Sequence, residues 1–230
     1  MAILPDQGAG SYLQMFSTEQ IAQLKAWVSA GGTLIGISSA LNFLADSKVG
    51  LLAVTQENAA RLPELGATSP ADALKKPEEN NGRVAGKILA SDADYRKVIE
   101  APKELPDTVA GVLLRARVDT ESWIGAGVSQ TVCALFEGRE IFTPVALNKG
   151  INAVVFEPAD KVLASGYLWE ENRRQLGRKP LVVVQAQGHG VVVGFITDPN
   201  FRASLDGMNV LFLNAVFRGP AHARPAAGEE

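Results

Sequence analysis

The stretch GGTLIGISSALNFLA, from Gly31 to Ala45, constrains this chain more than any other. It reads as a Gly-Gly turn, a buried strand over Thr33–Ile37, a sharp corner at Ser38-Ser39, and a helix through Leu41 and Leu44. A strand that turns tightly into a helix lifts a side chain above the carboxyl edge of a parallel sheet, where open α/β folds place their ligands. The segment before it strengthens that reading. Ser17 and Gln20 form a capping box, Ile21, Leu24, Trp27 and Val28 recur along one helical face, and Gly31 supplies the left-handed stop. A helix over Ser17–Ala30 leading into the Thr33 strand is the crossover of a parallel pair, with its Ile/Leu/Trp/Val face toward the sheet. The first strand of the pair is Ala2–Leu4, followed by the loop Pro5-Asp6-Gln7-Gly8. Its Ala-Ile-Leu composition is that of a central strand, so earlier strands are expected ahead of Met1.

Further along, 47–106 reads as a variable insert. Within it, Lys75 to Gly82 forms an exposed loop, and Ser91 or Asp92 caps a short helix through Tyr95, Val98 and Ile99. From Val109 the period changes to two, with strands at Val112–Val118, Thr131–Phe136, Ala153–Phe156 and Leu181–Ala186. LVVVQAQ and VVVGFI across Gly188-His189-Gly190 make a hairpin. Leu205–Phe217 closes the domain as a helix, giving one α/β domain over 1–218 and a disordered tail over 219–230.

Composition serves mainly to exclude. A net charge of −3 gives no basic field for nucleic acid, and the longest apolar runs are strand-sized, too short for a membrane span. The one cysteine, Cys133 in TVCALF, forms no internal disulfide and is expected as a small buried residue. MAILPD shows no signal peptide, and the residues do not specify a localisation.

The stretches ILPDQG, LKAWVSAGGTLIGISSALNFLA, LPDTVAGVLLRARVDT, LASGYLWEENRRQLGRKPLVVVQAQGHGVVVGFITDPNFRA and NVLFLNAVF cover most of the chain outside Lys48 to Lys103. Together they resemble the class I glutamine amidotransferase-like domain that follows the catalytic domain in bacterial zinc carboxypeptidase-like proteins. ThuA-like domains share parts of the pattern. The resemblance implies a flavodoxin-like three-layer sandwich with a β-rich C-terminal half, lacking its first strand-helix-strand unit. It also implies an upstream peptidase domain that binds zinc through a His-x-x-Glu pair and a distant histidine, in a secreted or periplasmic parent. None of those zinc ligands is expected here. The histidines are His189, in a Gly-flanked turn, and His222, in the tail, and no metal or cofactor is assigned to this chain.

Amidotransferase chemistry needs a thiolate at the corner, a histidine to take its proton and a carboxylate to orient the histidine. By the resemblance, the cysteine position falls on Ser38, and the His-Pro-Glu triplet on Asp198-Pro199-Asn200. Nucleophile, base and carboxylate are thus all replaced, and Ser38 is expected as a helix N-cap. Asp6, Ser39 and Arg202 are candidates for a ligand edge beside it; for Arg202 the plainer reading is an ion pair or a carbonyl cap. Asp119 reads as a turn former in DTESWIG, where the family's Asp-x-x-His-Pro-Leu is lost. Gly8-x-Gly10 is an incomplete nucleotide loop, and Glu170-Glu171 with Arg173-Arg174 reads as a solvated helix face. Trp123, Tyr167 and Trp169 are candidates for a sugar or peptide surface, or for the core.

Three functions follow as expectations. The first is a non-catalytic accessory domain, structural or binding substrate or a partner. The second is a hydrolase built on Ser38, Asp198 and Asp6. The third is a carbohydrate- or peptide-binding module.

Overall fold

A computed structural model describes residues 1–7, 11–60, 88, 90–92, 94–95 and 105–223. The Lys75–Gly82 loop, Val98 and Ile99, Gly8 and Gly10, and 224–230 lie outside the described residues. Residues 1–60 and 105–230 form one compact unit and 61–104 another. In the latter, Ser91 Oγ accepts from the Asp94 N–H at 3.2 Å, the cap expected at that position.

The main unit is built on one eight-stranded sheet. Its strands are β1 (Ala2–Leu4), β2 (Thr33–Ile37), β3 (Val109–Val118), β4 (Thr131–Gly138), β5 (Ile151–Phe156), β6 (Leu163–Ser165), β7 (Pro180–Gln187) and β8 (Gly190–Phe195). The order is β1-β2-β8-β7-β5-β3-β4, with β6 also on β3. Only β1, β2 and β8 run parallel to one another; every other neighbouring pair is antiparallel. This is the β-rich C-terminal half expected from the period-two pattern. β1 lies at one end of the order, with Ile3 38% exposed, so among the described residues it is an edge strand despite its central-strand composition.

The described helices of this unit are α1 (Ser11–Met15), α2 (Thr18–Ser29), α3 (Ala40–Ala45), α4 (Glu170–Leu176) and α5 (Asp206–His222). α2 starts as its sequence dictates: Ser17 N–H donates to Gln20 Oε1 at 2.8 Å, and Gln20 N–H to Ser17 Oγ at 3.3 Å. Past its end Gly31 takes φ 113°, which a Cβ would oppose. Its buried face is narrower than the periodicity suggests. Ile21 and Val28 are buried, whereas Trp27 is 38% exposed.

Gly36 of β2 and Gly194 of β8 are register partners, and their lack of side chains makes room for α3. A Cβ on Gly36 would lie 2.5 Å from Leu44 Cδ1. On α5, Gly219 also approaches the sheet closely, where its Cβ would lie 2.9 Å from Thr33 Cγ2. Thr33 and Gly36 are three apart on one strand and so face opposite ways. Hence α3 and α5 cover opposite faces, and the architecture is helix, sheet, helix. α5 packs on β2 and β8 and also on β4, at the far end of the order. The antiparallel half of the sheet therefore curls around α5, and it returns β4 to the neighbourhood of β1 and β2.

Three expectations change. Ser47–Ala60 belongs to the core unit: Val49, Leu51, Leu52 and Val54 are buried, and Gln56 bridges to Phe142, so the insert does not begin at 47. The closing helix runs on to His222, through Pro220, so the tail does not begin at 219. Its last turn is fixed by tertiary contact, with His222 stacked on Trp123 at 4.6 Å and Ala223 buried. Cys133 is exposed, because Val132, Ala134 and Phe136 take the inward positions of β4 and the alternation turns Cys133 outward. β6 and the 3₁₀ turns at Trp123–Gly125 and Phe201–Ala203 carry no sequence signal strong enough to be read. Among the described residues no helix is long and apolar enough to cross a membrane.

Candidate functional site

The parallel strands β1, β2 and β8 end at the same edge of the sheet, and the residues just past those ends converge there. β1 delivers Asp6, β2 delivers Ser38 and Ser39, and β8 delivers Thr197 and Asp198. By the alternation of strand direction β4 also ends at this edge, and the curl of the sheet brings Leu135, Glu137, Gly138 and Glu140 across to it. With Phe201, these residues line a pocket of about 400 Å³.

The corner is held from both sides. Ser38 N–H donates to Phe195 O at 2.8 Å, and Leu41 N–H to Ser38 O at 3.0 Å. Between these bonds Ser38 takes φ 53°, the left-handed region that costs a residue with a Cβ about 1–2 kcal/mol. Ser38 is not the N-cap of α3. That position belongs to Ser39, whose side chain makes no cap bond either. Instead Ser39 Oγ donates to Asp6 Oδ1 and accepts from the Gln7 N–H at 3.1 Å, tying the loop after β1 to the corner after β2. Tyr12 secures the same loop by donating its hydroxyl to Pro5 O at 2.6 Å. Burial raises the Tyr12 phenol above its ordinary pKa, and the charge of Asp6 adds to the shift.

On the other side of the corner, Asp198 accepts from the Asn200 N–H at 2.8 Å, which makes it the turn aspartate of the loop that also carries Pro199. Thr197, in the same loop, is only 6% exposed, and its Oγ1 has no hydrogen-bond partner. Glu140 accepts from the Arg139 N–H at 2.8 Å.

The structure thus brings together Asp6, Ser38, Ser39 and Asp198 from the sequence-read set. Asn200 and Arg202 do not line the pocket. Both are exposed, and Arg202 lies with its guanidinium carbon 5.3 Å from the centroid of the Phe201 ring, a cation–π contact and not the expected ion pair or carbonyl cap. Asp119 is the turn former expected, accepting from the Glu121 N–H at 3.1 Å. Trp123 packs against His222. Tyr167 and Trp169 stand exposed in an edge-to-face pair at 5.0 Å on the connection from β6 to α4, apart from the pocket lining. Glu137, Glu140, Thr197 and Phe201 were not singled out from the sequence. A charge closing an alternating strand was visible at Glu137, but only the curl of the sheet gives it a place.

Chemically, the described residues of the lining supply carboxylates, hydroxyls, apolar groups and an aromatic ring, and among them there is no imidazole, amine, guanidinium or thiol. Among the described residues no three His, Cys, Asp or Glu side chains are grouped as metal ligands.

No protein-family model matches the chain. No curated protein matches it either. Among solved structures it is similar to a putative ThuA-like protein from Parabacteroides merdae, with 10% identity and a TM-score of 0.52 over 97% of this chain and 72% of that one. It is also similar to a cytoplasmic protein from Salmonella typhimurium, at 12% identity and a TM-score of 0.46, over 93% of this chain and 69% of that one. At such identities a likeness speaks for the fold alone, and the fold it gives is the class I glutamine amidotransferase-like one of ThuA-like proteins.

Proposed function

We propose that this chain is a non-catalytic amidotransferase-like domain that keeps the carboxyl edge of β1, β2 and β8 as a binding surface. One observation carries the reading: the corner holds a serine, Ser38, and the described residues that line the pocket around it include no proton acceptor of histidine or lysine type. A serine hydroxyl left without a base is too weakly acidic to attack an amide at neutral pH. Asp198, where the resemblance puts the base, is engaged in its own turn. The quoted sequence stretches further support an accessory role beside an upstream zinc carboxypeptidase-like domain. Zinc would belong to that domain. In this chain His189 sits in the β7–β8 turn and His222 stacks on Trp123, and among the described residues no three His, Cys, Asp or Glu side chains group around either. Ammonia release from glutamine and hydrolysis of activated esters test the proposal. It expects no turnover above background, and turnover abolished by Ser38→Ala overturns it.

One feature favours a second reading, a hydrolase on Ser38. The positive φ of Ser38 is the kind of backbone strain that clusters at reactive corners. Against it, Asp6 takes its hydrogen bond from Ser39 and not from Ser38. For a carbohydrate- or peptide-binding module, Phe201 is the one aromatic wall of the pocket among the described residues.

A further inference from the structure

We infer that the outward face of α5 joins two copies of this chain, the two helices packing antiparallel across a two-fold axis. The inference stands apart from the Ser38 edge and rests on α5 and its surroundings at β4.

α5 meets the sheet through Met208, Leu211, Ala215 and Gly219, which are buried. At 3.6 residues a turn, the opposite side of the helix carries Val210, Leu213 and Phe217. That side of a surface helix is ordinarily polar. Here Leu213 is 49% exposed and Phe217 76%, and with the half-buried Val210 they form an apolar stripe at the spacing that puts side chains on one helical face.

The stripe lies beside its own complement. Where α5 meets β4 there is a pocket of about 310 Å³, with an apolar wall of Val128, Val132 and Val210 and with Cys133 on its rim. Gly207, also in the lining, sits so close to Val132 that a Cβ there would clash. Phe217 stands two turns along the helix from Val210, about 10 Å away. When a second α5 lies antiparallel, with the axis between Leu213 and Asn214, Phe217 of each copy comes beside Val210 of the other, at the mouth of that pocket. One face thus carries both the knob and the hole, as a self-complementary contact requires.

The charges agree with that register. Asp206 and Arg218 are both exposed, and they are centred on Phe212, within two residues of the same axis. Antiparallel pairing sets Asp206 of one copy near Arg218 of the other at both ends of the contact. Parallel pairing would set like charges together. Residues 224–230, RPAAGEE, bring no large apolar side chain to the stripe from within the chain. A pair of 17-residue helices is smaller than a standard stable interface, so the dimer dissociates on the order of 10 µM.

Sedimentation velocity of the full chain from about 1 to 300 µM at low salt tests the pairing. The weight-average mass rises with concentration from 24.4 kDa toward twice that value. Phe217→Ala weakens the dimer about thirtyfold or more, because each dimer loses two aromatic anchors. Phe217 is exposed, so its loss does not threaten folding, and an unchanged melting temperature in dilute solution verifies this. Asp206→Arg weakens the dimer severalfold, and adding Arg218→Asp restores it, a rescue that a local disturbance of the helix would not give. A chain that stays monomeric at about 300 µM overturns the inference and leaves the face to a partner of another kind. So does a dimer undiminished by Phe217→Ala, or a charge exchange that fails to restore what Asp206→Arg removed.

Discussion

Replacing Ser38 with glycine should leave the protein more stable than replacing it with alanine. Both changes remove the hydroxyl, so their difference isolates the backbone. Ser38 holds φ 53° between the bond it donates to Phe195 O and the bond Leu41 donates to it. A Cβ in that region costs about 1–2 kcal/mol, which glycine escapes. Glycine in turn loses about 0.4–1 kcal/mol through its freer unfolded chain. At the midpoints of those ranges the balance favours Ser38→Gly over Ser38→Ala by about 0.8 kcal/mol, or roughly 2–3 °C in melting temperature for a domain of this size. Equilibrium urea unfolding measures it, provided both variants share one denaturant slope. An alanine variant as stable as the glycine variant, or more so, would mean that the corner is not held left-handed, and the account of the strained strand-to-helix turn would fall.

Three further outcomes are expected. Because folding raises the Tyr12 pKa, its neutral form is favoured in the native state. The stability it contributes is full below the ordinary tyrosine value near 10 and fades as pH climbs through the raised value. Tyr12→Phe should therefore flatten part of the alkaline limb of a stability-against-pH curve, and an unchanged limb would contradict the shift. Asn214 donates to Ile124 O at 2.9 Å and Ala126 O at 2.8 Å, fastening α5 to the 3₁₀ turn. Asn214→Ala should cost about 1–3 kcal/mol in urea unfolding. Cys133, exposed on β4, should react with a thiol reagent in the folded protein nearly as fast as in urea, and strong native protection would return it to the core.

What could be read from the sequence was local. Ser17 and Gln20 declare the start of α2 and Gly31 its end, because both signals act within a turn of the helix. The strand Thr33–Ile37 and the Gly188-His189 turn were legible for the same reason. Half of the site followed. Asp6, Ser38, Ser39 and Asp198 stand just past the ends of parallel strands, so recognising the strands places them at one edge. Glu137 and Glu140 needed the return of β4, a consequence of sheet curl that no window of sequence contains. The end of α5 was misread because Pro220 ordinarily breaks a helix, whereas the Trp123–His222 stack holds the final turn from outside. At Cys133 the alternation of β4 was visible, but the usual burial of cysteine was given more weight than parity.

Whether the Ser38 hydroxyl is inert is best asked with a fluorophosphonate, which marks an activated serine covalently. Intact-mass and peptide analysis of the treated protein should find no adduct at Ser38. A stoichiometric adduct on that residue, absent from Ser38→Ala, would show a working nucleophile and contradict the non-catalytic account.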